Sequence, residues 1–151
     1  MGTGVRGVMV SIRRMTAEDV PVARALLSQL GYPLDDAELR RRYEAVAVAD
    51  GHDLMVAERE GRVVALCHLY VRPALDKPPE VVVQALVVDR GARGSGVGKV
   101  LMAAAESWAE ARGFVSVALA SNVVRTEAHA FYEAIGYQRV ATSHLFRKTL
   151  R

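Results

Sequence analysis

The sequence predicts a mixed α/β protein of the α+β type with a largely antiparallel sheet. Three observations carry this. Apolar residues recur at helical spacing in four stretches, and they alternate or run together over shorter lengths in seven others. Two of those shorter stretches are joined by Glu60-Gly61 alone, a turn that only an antiparallel pair can use. The length of 151 residues suits one domain, since a domain runs roughly 100–200 residues. A chain of about that length buries close to 70 % of its unfolded surface.

Taken in order, residues 1–9 are glycine-rich and read as a flexible N-terminal segment. A single domain is expected over residues 10–151. Val10–Arg13 reads as a short strand. Thr16-Ala-Glu-Asp19 resembles a capping box with Asp in the acidic place. Val22, Ala23, Leu26, Leu27 and Leu30 then follow at helical spacing, and Gly31 stops the helix. A second helix is expected over 36–49, with Leu39, Tyr43 and Val46 on one face. Asp53–Arg59 and Arg62–Val71 form the hairpin, and Pro73, Pro78 and Pro79 mark a loop. Val81–Val88 is β-branched and apolar on both faces, which predicts a central strand. After a glycine-rich turn, Val97, Val100, Leu101, Ala104 and Trp108 define a strong helix that Gly113 ends. Phe114–Ala120 reads as a buried strand, and 126–135 as a short helix capped by Thr126 and closed by Gly136. Residues 137–142 and 144–149 alternate like a last pair of strands.

Composition excludes several classes. Apolar residues make up 51 % and charged residues 25 %, which excludes wholesale disorder. No run approaches the ~18 apolar residues of a membrane span, and the opening residues lack a secretory apolar run. The single cysteine, Cys67, excludes an internal disulfide and a cysteine-clustered zinc site; no metal is expected. These features predict a cytoplasmic chain. The net charge is +3, with 17 Arg against 3 Lys. That surplus fits nucleic acid, a small multiply charged anion, or no partner. Only 6 % of residues are aromatic, which argues against stacking platforms for single strands.

The informative segment is Val87-Val-Asp-Arg-Gly-Ala-Arg93-Gly94-Ser95-Gly96-Val97-Gly98-Lys99. A strand leads into alternating glycines that open a helix. Glycine lets backbone amides approach a ligand and tolerates φ > 0. The first helical amides lack internal partners, and the dipole there favours an anion. Arg93 adds a fixed cation. The Walker A pattern fails, because its first glycine position holds Arg93 and the residue after Lys99 is Val100. The dinucleotide G-x-G-x-x-G pattern fails too, because Lys99 and Leu101 stand where its last glycine would fall. A tight turn without a ligand stays open at this point.

Arg93-Gly-Ser-Gly96-Val-Gly98 resembles the R/Q-x-x-G-x-G/A signature of the GNAT superfamily of N-acetyltransferases. Arg125-Thr-Glu-Ala128-His129-Ala-Phe131-Tyr132-Glu-Ala-Ile-Gly136-Tyr137 is similar to that family's R-x-x-A-H-x-F-Y-x-x-x-G-Y/F segment. The opening Ile12–Pro33 also looks family-like, so the resemblance covers about residues 10–150. It implies a GNAT-like mixed, mostly antiparallel central sheet flanked by about four helices. It also implies transfer of the acetyl group of acetyl-CoA directly to a primary amine, without an acyl-enzyme. The coenzyme pyrophosphate would sit on Arg93, Gly94, Ser95, Gly96, Val97, Gly98 and Lys99. Its pantetheine arm would pair with the strand edge at Leu86, Val87 and Val88, with Asn122 bonding it or merely ending the preceding strand. An edge amide can polarise the thioester carbonyl.

By the same resemblance Tyr132 is the acid that meets the departing thiolate. Phe131 reads as core and His129 as a capping or solvent-facing residue. The base is less plain. Many relatives carry a carboxylate just before the Leu-Val-Val stretch, where this chain has Gln84 and Ala85. Glu80 is the nearest carboxylate, and His68, His144 and a water chain are the alternatives. Cys67 lies in an apolar strand, where its thiol would be unreactive. The expected acceptor is a small-molecule amine, with no nucleic acid and no membrane involved. The final residues are similar to those of aminoalkylphosphonate acetyltransferases, a likeness too local to name a substrate. A catalytically silent acyl-CoA-binding module and acetylation of a protein amine are the competing readings. Dimers are common in the family, which keeps a homodimer open, although no segment marks an interface.

Overall fold

The structure is a computed structural model and describes residues 3–5 and 8–151. By its contacts the chain resolves into two compact units, residues 1–120 and residues 121–151.

In the first unit β1 (Thr3–Val5) pairs antiparallel with β2 (Val8–Arg14). Part of the flexible segment expected over 1–9 lies outside the described residues; Thr3–Val5, Val8 and Met9 are strand backbone. A 3-10 turn at Ala17–Asp19 leads into α1 (Val20–Gln29), and α2 (Asp36–Val48) follows. The Asp19 carboxylate accepts from the Thr16 amide at 2.8 Å and from its hydroxyl at 3.3 Å, so aspartate does serve in the capping position. Asp35 caps α2 by accepting from the Glu38 amide at 2.8 Å. The hairpin is β3 (His52–Arg59) and β4 (Arg62–Arg72). Glu60 and Gly61 both have φ > 0, at 54° and 75°, as a two-residue turn between right-twisted strands requires. Next come β5 (Glu80–Val88), a 3-10 turn at Arg90–Ala92, α3 (Val97–Ala111) and β6 (Val117–Leu119).

The sheet runs β1-β2-β3-β4-β5-β6. Every ladder is antiparallel except β5–β6, so the sheet is mixed and mostly antiparallel, as expected. Period-2 alternation divides its side chains between two faces. Leu54, Val56, Leu66 and Val87 pack with Met15, Val20, Ala23 and Leu26 and with Leu39 of α2. Met55, Ala57, Cys67 and Leu69 point to the other face, and α3 packs on β2 to β5 with Leu101, Met102 and Ala105 fully buried.

Three expectations need correction. The buried strand over 114–120 is only Val117–Leu119, half-buried, and Val115 is 96 % exposed. The second unit holds α4 (Thr126–Ala134), but Thr126 is its first helical residue; Arg125 occupies the cap position and no side chain caps the helix. The strands expected at 137–142 and 144–149 are absent. Alternation proposes a face to bury, but a strand also needs a neighbour for its N–H and C=O groups. Val140, Leu145, Phe146 and Leu150 stand exposed.

Candidate active site

The cradle begins at the end of β5. Asp89 accepts from the Gly91 amide at 3.2 Å and from Gln29 Nε2 at 2.8 Å. Gln29 Oε1 in turn accepts from the Arg90 amide at 3.0 Å. The end of α1 thus ties down the start of the loop. These bonds, Gln29 first, hold the Asp89 carboxyl below its ordinary range, with Arg62 and Arg93 adding favourable charge.

The loop then turns through Gly94 at φ +76° and Gly96 at φ +92°, the latter being the cap of α3. The Val100 amide makes the first helical bond, to Gly96 O at 3.1 Å. The Val97, Gly98 and Lys99 amides therefore precede the helical ladder, at the positive end of its dipole. Arg93 Nε donates to Val88 O at 3.1 Å, which leaves the rest of its guanidinium on the exposed side of the loop. Arg59, which the sequence reading passed over, reaches in from the hairpin and donates to Ser95 Oγ at 3.2 Å; that hydroxyl donates to Ala92 O. Arg59 and Arg93 form no ion pair among the described residues, whereas Arg13, Arg14, Arg24, Arg41, Arg42 and Arg72 all do. Glycines in the left-handed region, free amides and unpaired guanidinium groups fit a polyanion such as a coenzyme pyrophosphate.

Beside the cradle β5 opens. It pairs with β6 only through Val81, Val82 and Val83. Its register against β4 skips one residue, with His68 opposite Ala85 and Leu69 opposite Val83. Gln84 is the extra residue of a β-bulge. A bulge bends and overtwists its strand, and this one lies where pairing to β6 stops. Among the described residues, Leu86, Val87 and Val88 therefore keep β4 on one side and have no strand on the other. Such an edge can accept an extended ligand by backbone hydrogen bonds.

Glu80 starts β5 and is engaged: Arg72 Nη2 pairs with it at 2.5 Å and Ser116 Oγ donates to it at 3.0 Å. Cys67 is fully buried, and burial with the charge of Asp53 pushes its thiol up to about 12, so it carries no thiolate. In the second unit, Asn122 Oδ1 accepts from the Val124 amide at 3.0 Å, and His129 Nε2 donates to Asn122 O at 2.8 Å. Asn122 thus shapes the turn into α4. Tyr132 is half-buried against Phe131 and Tyr137, with ring centroids 5.2 and 6.1 Å away. His144 is exposed. Among the described residues no cluster of His, Cys, Asp or Glu could hold a metal ion. No helix there is long and apolar enough to cross a membrane.

A cradle for a polyanion beside an unpaired strand edge is a site for an extended, phosphate-bearing co-substrate. The family model described as the acetyltransferase (GNAT) family matches residues 19–137, and the chain belongs to that family. It is an acetyl-CoA-dependent N-acetyltransferase. It is 29 % identical over 142 residues to the uncharacterised N-acetyltransferase YhdJ of Bacillus subtilis, covering 93 % of this chain and 99 % of that one. It is 31 % identical over 130 residues to the aminoalkylphosphonate N-acetyltransferase of Salmonella typhimurium, covering 85 % and 84 %. The fold is similar to that of aminoglycoside N-acetyltransferase AAC(6')-Iy in complex with CoA, with a TM-score of 0.83 and 23 % identity over 92 % of this chain and 94 % of that one.

Proposed function

We propose that the chain acetylates a primary amine of a small molecule, with residues 10–151 acting as one catalytic domain in the cytoplasm. One observation carries the reading: an amide-and-arginine cradle opens directly onto the unpaired edge of β5. Relatives named for aminoglycoside and aminoalkylphosphonate acetylation support a small acceptor over a nucleic acid or a protein amine. In this reading residues 93–99 hold the coenzyme phosphates, and the backbone of Leu86–Val88 aligns the pantetheine arm. Acetyl-CoA supplies the activated acetyl group. An edge amide of β5 hydrogen-bonds the oxygen that becomes negative as the amine attacks. Tyr132 gives its phenolic proton to the departing sulfur. Asn122 shapes the turn that leads into α4. Glu80 is proposed to brace Arg72 and Ser116, since both of its oxygens are already engaged.

Thermal unfolding with and without acetyl-CoA tests this. A ligand at 100 times its Kd stabilises by about 2.7 kcal/mol, which raises Tm by roughly 5–10 °C in a domain of this size. An unchanged Tm, together with no thiol release across a panel of small amines, overturns the reading. A raised Tm without turnover against any amine identifies a silent coenzyme-binding module instead.

A further inference from the structure

Outside the cradle, two imidazoles come within hydrogen-bonding distance on the hairpin. His52 Nδ1 and His68 Nε2 are 3.0 Å apart. Tyr70 stacks on His52, with centroids 5.1 Å apart and planes 14° from parallel, and this fixes the ring. All three side chains are half-buried and reachable from solvent. His68 lies opposite Ala85, and the next aligned pair on that face is Leu66 opposite Val87. Directly opposed residues share a face. His68 therefore projects beside the Ala85 methyl group, next to the bulge and one residue from Leu86. A larger side chain at 85 would fill that space.

We propose that His68 and His52 are a two-imidazole relay that removes the proton from the acceptor ammonium. The inference rests on the acetyl-transfer reading above. Two hydrogen-bonded neutral imidazoles share one proton between them, which leaves one outer lone pair and one outer N–H. Neither outer nitrogen, His68 Nδ1 or His52 Nε2, has a hydrogen-bond partner among the described residues. With the shared proton on His68 Nε2, the lone pair is on His68 Nδ1, nearest Ala85. The ammonium N–H bond breaks, its electron pair stays on the amine nitrogen, and the proton joins His68 Nδ1. The shared proton crosses to His52 Nδ1, and His52 releases its Nε2 proton to water. Exchange with water resets the tautomers. The sum is ammonium to amine with one proton delivered to solvent.

Burial and the neighbouring His52 lower His68 to about 4, so it is neutral at working pH and does not retain what it accepts. The charged groups around it are otherwise committed. Arg72 is held by Glu80, and Asp53 faces the opposite side of the sheet with Arg14 at 3.8 Å. The relay supplies a path, while the solution pH supplies the driving force. At pH 7 only about one alkylamine in a thousand is neutral.

The test compares the full chain with His68→Gln and His52→Gln, using kanamycin, spermidine and 1-aminoethylphosphonate as acceptors. His68→Gln is expected to lower kcat by roughly 100-fold or more at pH 7. Calorimetric affinity for acetyl-CoA should stay within two-fold of the parent. The kcat loss should shrink at least ten-fold near pH 9.5, where the neutral amine is roughly 200-fold more abundant than at pH 7, and added imidazole should restore part of the rate. His52→Gln should show the same pattern, weaker. Nitrogen-15 spectra of the imidazoles, which need no acceptor, should show the shared proton in the parent and its loss in either variant. An equal loss at both pH values, no loss, or imidazoles that titrate independently overturns the relay. Absence of turnover by the parent with every acceptor overturns the acetyl-transfer reading, and the relay with it.

Discussion

Gly96 holds the cap of α3 at φ +92° and ψ −1°. Two substitutions there separate backbone strain from ligand chemistry. Gly96→Ala forces a Cβ into the left-handed region, at a cost of about 1–2 kcal/mol. At roughly 2–4 °C per kcal/mol for a chain of this length, Tm should fall by about 2–8 °C. Gly96→Glu carries the same strain and adds a carboxylate at the first turn of the helix, beside the amides of Val97, Gly98 and Lys99. A carboxylate about 4 Å from a phosphate charge repels it by about 4 kcal/mol at an effective dielectric constant near 20. That is roughly a thousand-fold in affinity. Isothermal calorimetry with acetyl-CoA reads the affinity, and thermal unfolding without ligand reads the strain. The expected pattern is two variants of similar unliganded Tm, of which only Gly96→Glu loses the coenzyme. Equal acetyl-CoA affinity in the two variants would refute the placement of phosphates at this turn. An unchanged Tm in Gly96→Ala would refute the strain argument.

Tyr132→Phe should lower kcat about 100-fold with acetyl-CoA affinity unchanged; an unaltered kcat removes the phenol from the acid role. Asp19 is 6 % exposed and takes both Nη1 and Nη2 of Arg13 at 2.8 Å, while Arg13 Nε binds Glu58 at 2.7 Å. Asp19→Asn should cost about 1–3 kcal/mol, less than breaking a fully buried pair, because the Arg13 side chain is 36 % exposed and keeps Glu58. The Arg13 bond holds the Asp19 carboxyl below its ordinary value. Its stabilisation is therefore present above the unfolded value near ~3.9 and is lost as pH falls through the lower folded one. Urea midpoints below about pH 4 should converge for parent and variant; a constant gap down to acid pH contradicts this. Cys67 in the folded chain should resist iodoacetamide at pH 8 and react after denaturation, read by intact mass; fast labelling of the native chain contradicts its burial.

Much of the fold was legible because its signals are local. Thr16-Asp19 stands where the first helix begins, Gly31 where it ends, and Glu60-Gly61 where a tight turn demands positive φ. The C-terminal alternation misled because period-2 hydrophobicity reports a face and not a ladder partner. The bulge was half visible: Gln84 interrupts an apolar run and is exposed. Nothing in the run says which of its residues is left out of register, because that is set by the spacing on β4.

The glycine cradle, the strand that feeds it and the arginine beside it follow from the order of residues alone, because each depends on neighbours within a few residues. That order also shows that no carboxylate stands at Gln84 or Ala85. Packing of the elements set the contacts between residues distant in the chain. It brought Gln29 and Arg59 to the loop from α1 and β3, tied Glu80 to Arg72, and aligned His52 and His68 across the hairpin. Sixteen residues separate those imidazoles in the chain, and strand register alone sets them within one hydrogen bond.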